Sequence, residues 1–200
     1  MNIVCLDLEG VLVPEIWIEF SKTTGITELQ RTTRDEPDYD KLMKFRIDIL
    51  NKNNLKLPDI QKVISSMQPL PGALEFSNKL REKTQLVILS DTFEQFAKPL
   101  MFKLGFPSLF CNSINSDECG TITGYTLRQQ NGKKEAVKAF KAMNMRIFAA
   151  GDSYNDLDMI REAHSGCLFH APAQIQKDNP DLKCYETYDE LLTIIESFLK

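Results

Sequence analysis

Four short apolar runs punctuate this chain, and three of them end in polar clusters that carry an acid. The first is Ile3-Val4-Cys5-Leu6-Asp7-Leu8, the second Leu86-Val87-Ile88-Leu89 running into Ser90-Asp91-Thr92, and the third Arg146-Ile147-Phe148-Ala149-Ala150 running into Gly151-Asp152. A weaker fourth is Gly166-Cys167-Leu168-Phe169. Short runs without polar alternation predict strands buried on both faces. Between them, apolar positions recur at helical spacing over 73–83, 93–104, 134–143 and 155–163. Strand and helix in alternation predict an α/β fold, a doubly wound parallel sheet with helices on both faces.

One stretch breaks the rhythm. From Pro14 to about Gln68 the pattern predicts no central strand, only helical segments broken at Gly25, near Asp35-Glu36-Pro37 and around Lys56-Leu57-Pro58. Over Asp40 to Asn51 the apolar residues Leu42, Met43, Phe45, Ile47, Ile49 and Leu50 lie roughly on one helical face, and Pro58 to Met67 reads as a second helix with proline at its start. The expected organisation is therefore an α/β core of residues 1–13 and 70–200, with a helical cap of residues 14–69 inserted after the first strand. Pro69-Leu70-Pro71-Gly72 would lead back into the core, and the alternating Thr, Ile and Tyr between Ser116 and Leu127 predict a hairpin.

Composition narrows the possible partners. The 200 residues carry 24 basic and 28 acidic side chains, a formal charge of −4, with no Lys/Arg stripe, so no nucleic-acid footprint is expected. No apolar run approaches the ~20 residues that a membrane span needs, and the opening Met-Asn-Ile-Val-Cys-Leu-Asp lacks the basic start of a signal peptide. The five cysteines are widely spaced and form no C-x-x-C pair, which predicts small buried thiols in a reducing, cytoplasmic setting. The sequence leaves the oligomeric state open.

In a doubly wound sheet, ligands bind beyond the carboxyl ends of the strands. Three such ends here carry Asp7-x-Glu9-Gly10, Ser90-Asp91-Thr92 and Gly151-Asp152-Ser153-Tyr154-Asn155-Asp156. Asp7, Glu9 and Asp152 converging would supply hard oxygen donors suited to Mg²⁺, which in turn would let a carboxylate approach a phosphate. In Gly132-Lys133-Lys134-Glu135, either lysine could place a point charge on the phosphoryl oxygens, and position alone does not choose between them. Read by themselves, Glu15 is an exposed acid and Arg46 a base on a helix surface. Trp17, Met43, Phe45, Phe93 and Phe96 read as core. His164 and His170 have no metal-ligand pattern and are expected only to pack or hydrogen-bond.

Taken in order, Asp7-Leu8-Glu9-Gly10, Ser90, Lys133 and Gly151-Asp152-Ser153-Tyr154-Asn155-Asp156 resemble the four motifs of the haloacid dehalogenase superfamily of phosphotransferases, over nearly the whole chain. The helical insert between the first two motifs is similar to that of phosphoserine phosphatases. The Asp-Leu-Glu-Gly opening followed by Val13-Pro14-Glu15-Ile16-Trp17 resembles, among these, the bacterial phosphoserine phosphatase/homoserine kinase type of the threonine pathway.

The resemblance implies Asp7 as a nucleophile that forms an aspartyl-phosphate and Glu9 as general acid and base. It implies Ser90, Asp91, Lys133 and Asn155 as substrate-binding residues, and so selects Lys133 over Lys134. Mg²⁺ would be held by Asp7, Glu9 and Asp152, with Asp156 behind them. In the insert, Glu15 would meet the ammonium and Arg46 the carboxylate of a small phosphorylated amino acid. The implied activity is a Mg²⁺-dependent phosphoserine phosphatase of amino-acid biosynthesis, with phosphoryl transfer to homoserine as an extension.

This chain departs from the usual Asp-x-Asp-x-Thr of the first motif. Glu9 carries its carboxyl one methylene further out, and Val11 has no hydroxyl. A phosphatase for another small phosphomonoester and a ligand-binding relative without catalysis are the competing readings. A phospho-acceptor signalling domain would be shorter and lack the insert. An ATP-dependent kinase is disfavoured because no G-x-x-x-x-G-K-[ST] loop is present.

Overall fold

The computed structural model describes residues 1–33, 35, 36 and 38–200. Seven strands, β1 (Asn2–Leu6), β2 (Gln85–Phe93), β3 (Ser108–Ser116), β4 (Ile122–Thr126), β5 (Arg146–Gly151), β6 (Ser165–Phe169) and β7 (Cys184–Tyr185), form one sheet. Their order is β4-β3-β2-β1-β5-β6-β7. All neighbours are parallel except β3 and β4, which form the antiparallel hairpin. Successive side chains of a strand point to opposite faces. Thus Val4, Leu6, Ile88, Phe148 and Phe169 enter one apolar core, while Ile3, Cys5, Val87, Leu89, Ile147 and Leu168 enter another.

The insert supplies helices α1 (Ile16–Thr24), α2 (Tyr39–Lys52) and α3 (Leu57–Ser66), and the sheet is flanked by α4 (Ala73–Arg81), α5 (Glu94–Lys103), α6 (Gly132–Ala142), α7 (Leu157–Glu162), α8 (Ala173–Asp178) and α9 (Tyr188–Leu199). Helices α4, α5 and α9 and the insert pack on the first core, and α6, α7 and α8 on the second.

The local chemistry of the insert explains its breaks. Helix α1 ends at Gly25, where a left-handed residue donates its N–H to Ser21 O. At the start of α2, Asp38 accepts a hydrogen bond from Lys41 N at 3.1 Å. At the start of α3, Asp59 reaches back to Lys56 N at 2.8 Å, with Pro58 in the first turn. The predicted break near Asp35-Glu36-Pro37 does precede α2, and Pro37 itself lies outside the described residues. The insert leans on the β3–β4 hairpin through Leu57 N to Gly120 O (2.8 Å), Asn51 Nδ2 to Ile122 O (3.4 Å) and a Tyr125–Asp40 hydrogen bond.

Some details differ from the sequence expectation. The first strand of the hairpin begins eight residues earlier than Ser116, because β3 first pairs with β2 and only from Ser113 with β4. The stretch predicted as one helix over 155–163 is a 3₁₀ turn, Tyr154–Asp156, followed by α7. All five cysteines are free thiols, but only Cys5 and Cys167 are buried, and Cys119 is exposed. Among the described residues, no helix is long and apolar enough to cross a membrane. His164 Nδ1 accepts the Ile147 amide at 3.1 Å, and the His170 ring stacks on Phe169.

Candidate active site

Strands β2, β1 and β5 are adjacent, so their carboxyl ends bring Ser90 and Asp91, Asp7, and Asp152 to one place. Asp7 N donates to Ala150 O at 3.0 Å, which extends the β1–β5 ladder by one residue and fixes the acid at the strand end. The following loop turns back on itself, with Leu12 N and Val13 N both donating to Leu8 O (2.8 and 3.0 Å).

Two glycines let carboxylates approach the backbone this closely. Gly10 sits at φ +78, and a Cβ there would lie 2.5 Å from Asp152 Oδ2. A Cβ on Gly151 would lie 2.3 Å from Asp156 Cγ. Gly151→Ala should therefore push Asp156 off its partners and lower the melting temperature by roughly 4–8 °C, the shift for ~2 kcal/mol in a chain of this size. Thermal unfolding of the variant checks this, and an unchanged melting temperature would show that Asp156 has room to give.

Asp156, with no exposed surface, is the brace of the site. Its Oδ1 takes Lys133 Nζ at 2.7 Å, and its Oδ2 accepts Asp152 N (3.0 Å), Ser153 N (3.0 Å) and Ser153 Oγ (2.9 Å). Lys133 Nζ also lies 3.0 Å from Asp7 Oδ1 and 3.4 Å from Asp91 Oδ2. Burial disfavours the ammonium, but Asp156, Asp7 and Asp91 outweigh it and hold Lys133 well above its usual range. Lys134 instead pairs with Asp158 at the surface, 3.2 Å away. Burial first, then Asp156 and Asp152, push Asp7 upward against the pull of Lys133. Asn155 Nδ2 donates to Asp91 Oδ2 at 2.7 Å, and Ser90 Oγ accepts Thr92 N at 3.2 Å.

The carboxylates that offer oxygens within 4.8 Å of one another belong to Asp7, Asp152 and Asp156. Of the expected set Asp7, Glu9 and Asp152, this grouping holds Asp7 and Asp152, while Glu9 Oε2 accepts the Ile16 amide at 2.8 Å. Both oxygens of Asp156 are already engaged, so Asp7 and Asp152 are the pair placed to hold a cation, with Asp156 behind them. Two hard carboxylates with a third braced behind them fit a divalent ion such as Mg²⁺.

Glu9 belongs to a second cluster in the same cavity. Burial and neighbouring Glu15 push its carboxyl up to about 7, against the Ile16 amide, Arg46 and Thr92. Arg46 is buried; burial lowers it to about 10, while Glu9, Tyr39 and Glu15 resist. Its Nη2 donates to Arg31 O at 2.8 Å and its Nη1 lies 3.9 Å from Met43 Sδ. Among the described residues, Arg46 Nε is one of two buried side-chain polar atoms without a hydrogen-bond partner. A buried donor left unmet is costly, and Arg46 is one of the residues that line the cavity.

Asp7, Glu9, Glu15, Arg46, Ser90, Asp91, Lys133, Asp152 and Asn155 all line one cavity of about 100 Å³. Asp156 alone of the expected residues lies behind its wall. Trp17 and Tyr39 also line the cavity, whereas the sequence reading assigned Trp17 to the core and passed over Tyr39. Tyr39 donates from its hydroxyl to Asp91 O at 3.0 Å. A signal existed for Tyr39, since Tyr39, Met43 and Arg46 at i, i+4 and i+7 share one face of α2. Met43, Phe93 and Phe96 are core, as expected, and Phe45 packs at its edge.

Comparisons with known proteins agree with this geometry. The chain is 54% identical over 191 residues to phosphoserine phosphatase ThrH of Pseudomonas aeruginosa, covering 96% of this chain and 93% of that one. A phosphoserine phosphatase of Pseudomonas syringae pv. tomato is 55% identical over 191 residues, covering 96% and 81%. Among solved structures, a phospho-aspartyl intermediate analogue of a phosphoserine phosphatase shares the fold with a TM-score of 0.79 at 22% identity, covering 96% and 98%. The family model for haloacid dehalogenase-like hydrolases matches residues 1–164, and the chain belongs to that family.

Proposed function

We propose that this chain is a Mg²⁺-dependent phosphoserine phosphatase that works through an aspartyl-phosphate on Asp7. One observation carries the reading: Asp7, Ser90 and Lys133 line the same small cavity as the buried Arg46 and the acid Glu15. Phosphate, carboxylate and ammonium are the three charges of phosphoserine. Both Pseudomonas relatives, named as phosphoserine phosphatases, support it.

In this reading residues 14–69 are a cap that brings Glu15 and Arg46 over a catalytic core of residues 1–13 and 70–200. Ser90 and Lys133 hold the phosphoryl oxygens, and Asn155, tied to Asp91, lines their approach. With Asp7 Oδ1 held by Leu8 N (2.7 Å) and Lys133, Oδ2 is left to attack phosphorus. The bond from phosphorus to the seryl oxygen breaks as Glu9 delivers its proton to that oxygen. Glu9, now a carboxylate, takes a proton from water, whose oxygen attacks phosphorus and releases Asp7. Bound at Asp7 and Asp152, Mg²⁺ would neutralise charge between carboxylate and phosphate. Positioning and neutralisation supply most of the rate in such transfers. Five unpaired thiols suit the cytoplasmic setting that goes with this reading.

Arg46→Ala tests the substrate. Loss of one partner of a buried charge pair costs ~2–4 kcal/mol, so kcat/KM for phosphoserine should fall on the order of 10²-fold or more. An aryl phosphate, with no carboxylate to hold, should lose far less. Equal losses on the two substrates would mean that Arg46 only supports the fold.

The proposal extends to the acceptor. Homoserine shares serine's ammonium and carboxylate, with a side chain one methylene longer, so Glu15 and Arg46 would bring its hydroxyl to the aspartyl-phosphate in place of water. Raising homoserine should shift product from phosphate to phosphohomoserine when phosphoserine is the donor, and ATP should give none. A product ratio that never moves would leave a plain hydrolase.

A further inference from the structure

The indole of Trp17 is wedged from two directions. It meets Phe20 of its own helix edge-on, with ring centroids 6.4 Å apart, and Phe96 of α5 at 5.7 Å. These contacts leave one face for Arg46, whose Cζ lies 4.6 Å from the ring centroid. The guanidinium is thereby held in three ways: its centre over the indole, Nη2 on Arg31 O, and Nη1 against Met43 Sδ. Nε has no hydrogen-bond partner, and Arg46 lines the cavity.

A guanidinium with its face covered and one end tethered can accept a planar anion only along its free edge. An aliphatic side chain at position 17 would fill space but would neither attract the cation nor hold its plane. The π face does both, and its contribution grows when water is excluded, as it is here. We propose that Trp17 is a specificity-determining residue: by seating Arg46 on its ring, it fixes the guanidinium in the cavity lining for the carboxylate of the substrate and so favours phosphomonoesters of amino acids over those without a carboxylate. This rests on the reading of Arg46 as the carboxylate-binding residue. Trp17 is a positioning residue that works through Arg46 and does not touch the reacting phosphoryl group.

The test is a double-mutant cycle read as the ratio of kcat/KM for phosphoserine to that for an aryl phosphate. Trp17→Leu should lower that ratio roughly tenfold, chiefly through KM for phosphoserine, and Trp17→Phe should restore most of it. In an Arg46→Ala background, Trp17→Leu should change the ratio less than about twofold, because the residue through which it acts is gone. A second readout needs no turnover. Trp17 is the single tryptophan of the chain, so its fluorescence should change saturably on titration with serine in the wild type and not in Arg46→Ala. If Trp17→Leu does not fold, Trp17→Phe and the serine titration still decide. A ratio insensitive to Trp17 but collapsed by Arg46→Ala would overturn the proposal and leave the substrate reading standing. A ratio insensitive to both would sink the substrate reading itself. Equal effects of Trp17→Leu with and without Arg46 would reduce Trp17 to packing.

Discussion

Asp7→Asn should abolish phosphate release from phosphoserine, by on the order of 10⁴-fold or more, as loss of a covalent nucleophile does elsewhere. Asparagine has the same shape, and its side-chain oxygen can still accept the Leu8 amide that now bonds Asp7 Oδ1 at 2.7 Å. Lys133 keeps Asp156 at 2.7 Å and Asp91 at 3.4 Å. What is lost is the charge that, in the proposed mechanism, attacks phosphorus. The fold should not suffer. Asp7 shares its surroundings with Asp152 and Asp156, and their mutual repulsion opposes folding, so in EDTA the variant should melt no lower than the wild type. Activity collapsing while stability holds is the expected pair of results. Near-wild-type turnover in a clean preparation would remove the covalent route, and a lower melting temperature would mean that the acid has a structural duty.

How the chain folds to make this site was partly legible beforehand. The central strands β1, β2, β5 and β6 announce themselves because strands buried on both faces read as unbroken apolar runs. β3 hides because Ser108, Asn112, Ser113, Asn115 and Ser116 stand among its apolar residues, and only at Ser113 does it turn to pair with β4. The two-residue β7 is too short for any periodicity to register. Position left the two adjacent lysines equal; in the fold Lys133 is buried beside three carboxylates and Lys134 pairs at the surface. The side-chain direction of Glu9 was beyond reach, since it follows from where the Ile16 amide falls after the loop closes. Trp17 shows the remaining limit: an aromatic at helical spacing reads as core, and here it packs against Phe20 and Phe96, carries Arg46 over its ring and also lines the cavity.

The first-motif departure now has a physical account. Val11 has no exposed surface and belongs to the core, so a hydroxyl there would be buried among apolar side chains. The loop is secured instead through its backbone. Val11 O accepts the Tyr188 hydroxyl of α9 at 2.7 Å, and Leu12 O accepts Leu70 N at 2.9 Å. With the loop so anchored, the longer arm of Glu9 reaches the Ile16 amide and stands beside Arg46 and Glu15, in the part of the cavity assigned to the amino acid.

That placement makes Glu9→Gln the sharper test of the chemistry. Glutamine keeps the size of the side chain and can still accept the Ile16 amide, but it can neither give nor take a proton. Turnover of phosphoserine should fall by ~10²–10⁴-fold, the usual contribution of a positioned acid or base. The two halves of the cycle separate with the choice of leaving group. An aryl phosphate has a leaving group that needs no protonation, so the variant should release about one aryl alcohol per active site in a rapid burst and then stall, with acid-quenched labelling finding phosphate on Asp7. Phosphoserine, whose alkoxide needs the proton, should show no burst at all. The contrast follows if, as proposed, Glu9 serves the seryl oxygen first and water second, since the aryl ester bypasses only the first service. Normal turnover of both esters by Glu9→Gln would assign the proton transfers to another group. A burst with phosphoserine would confine Glu9 to the water step and leave departure of the seryl oxygen to some other donor in the cavity.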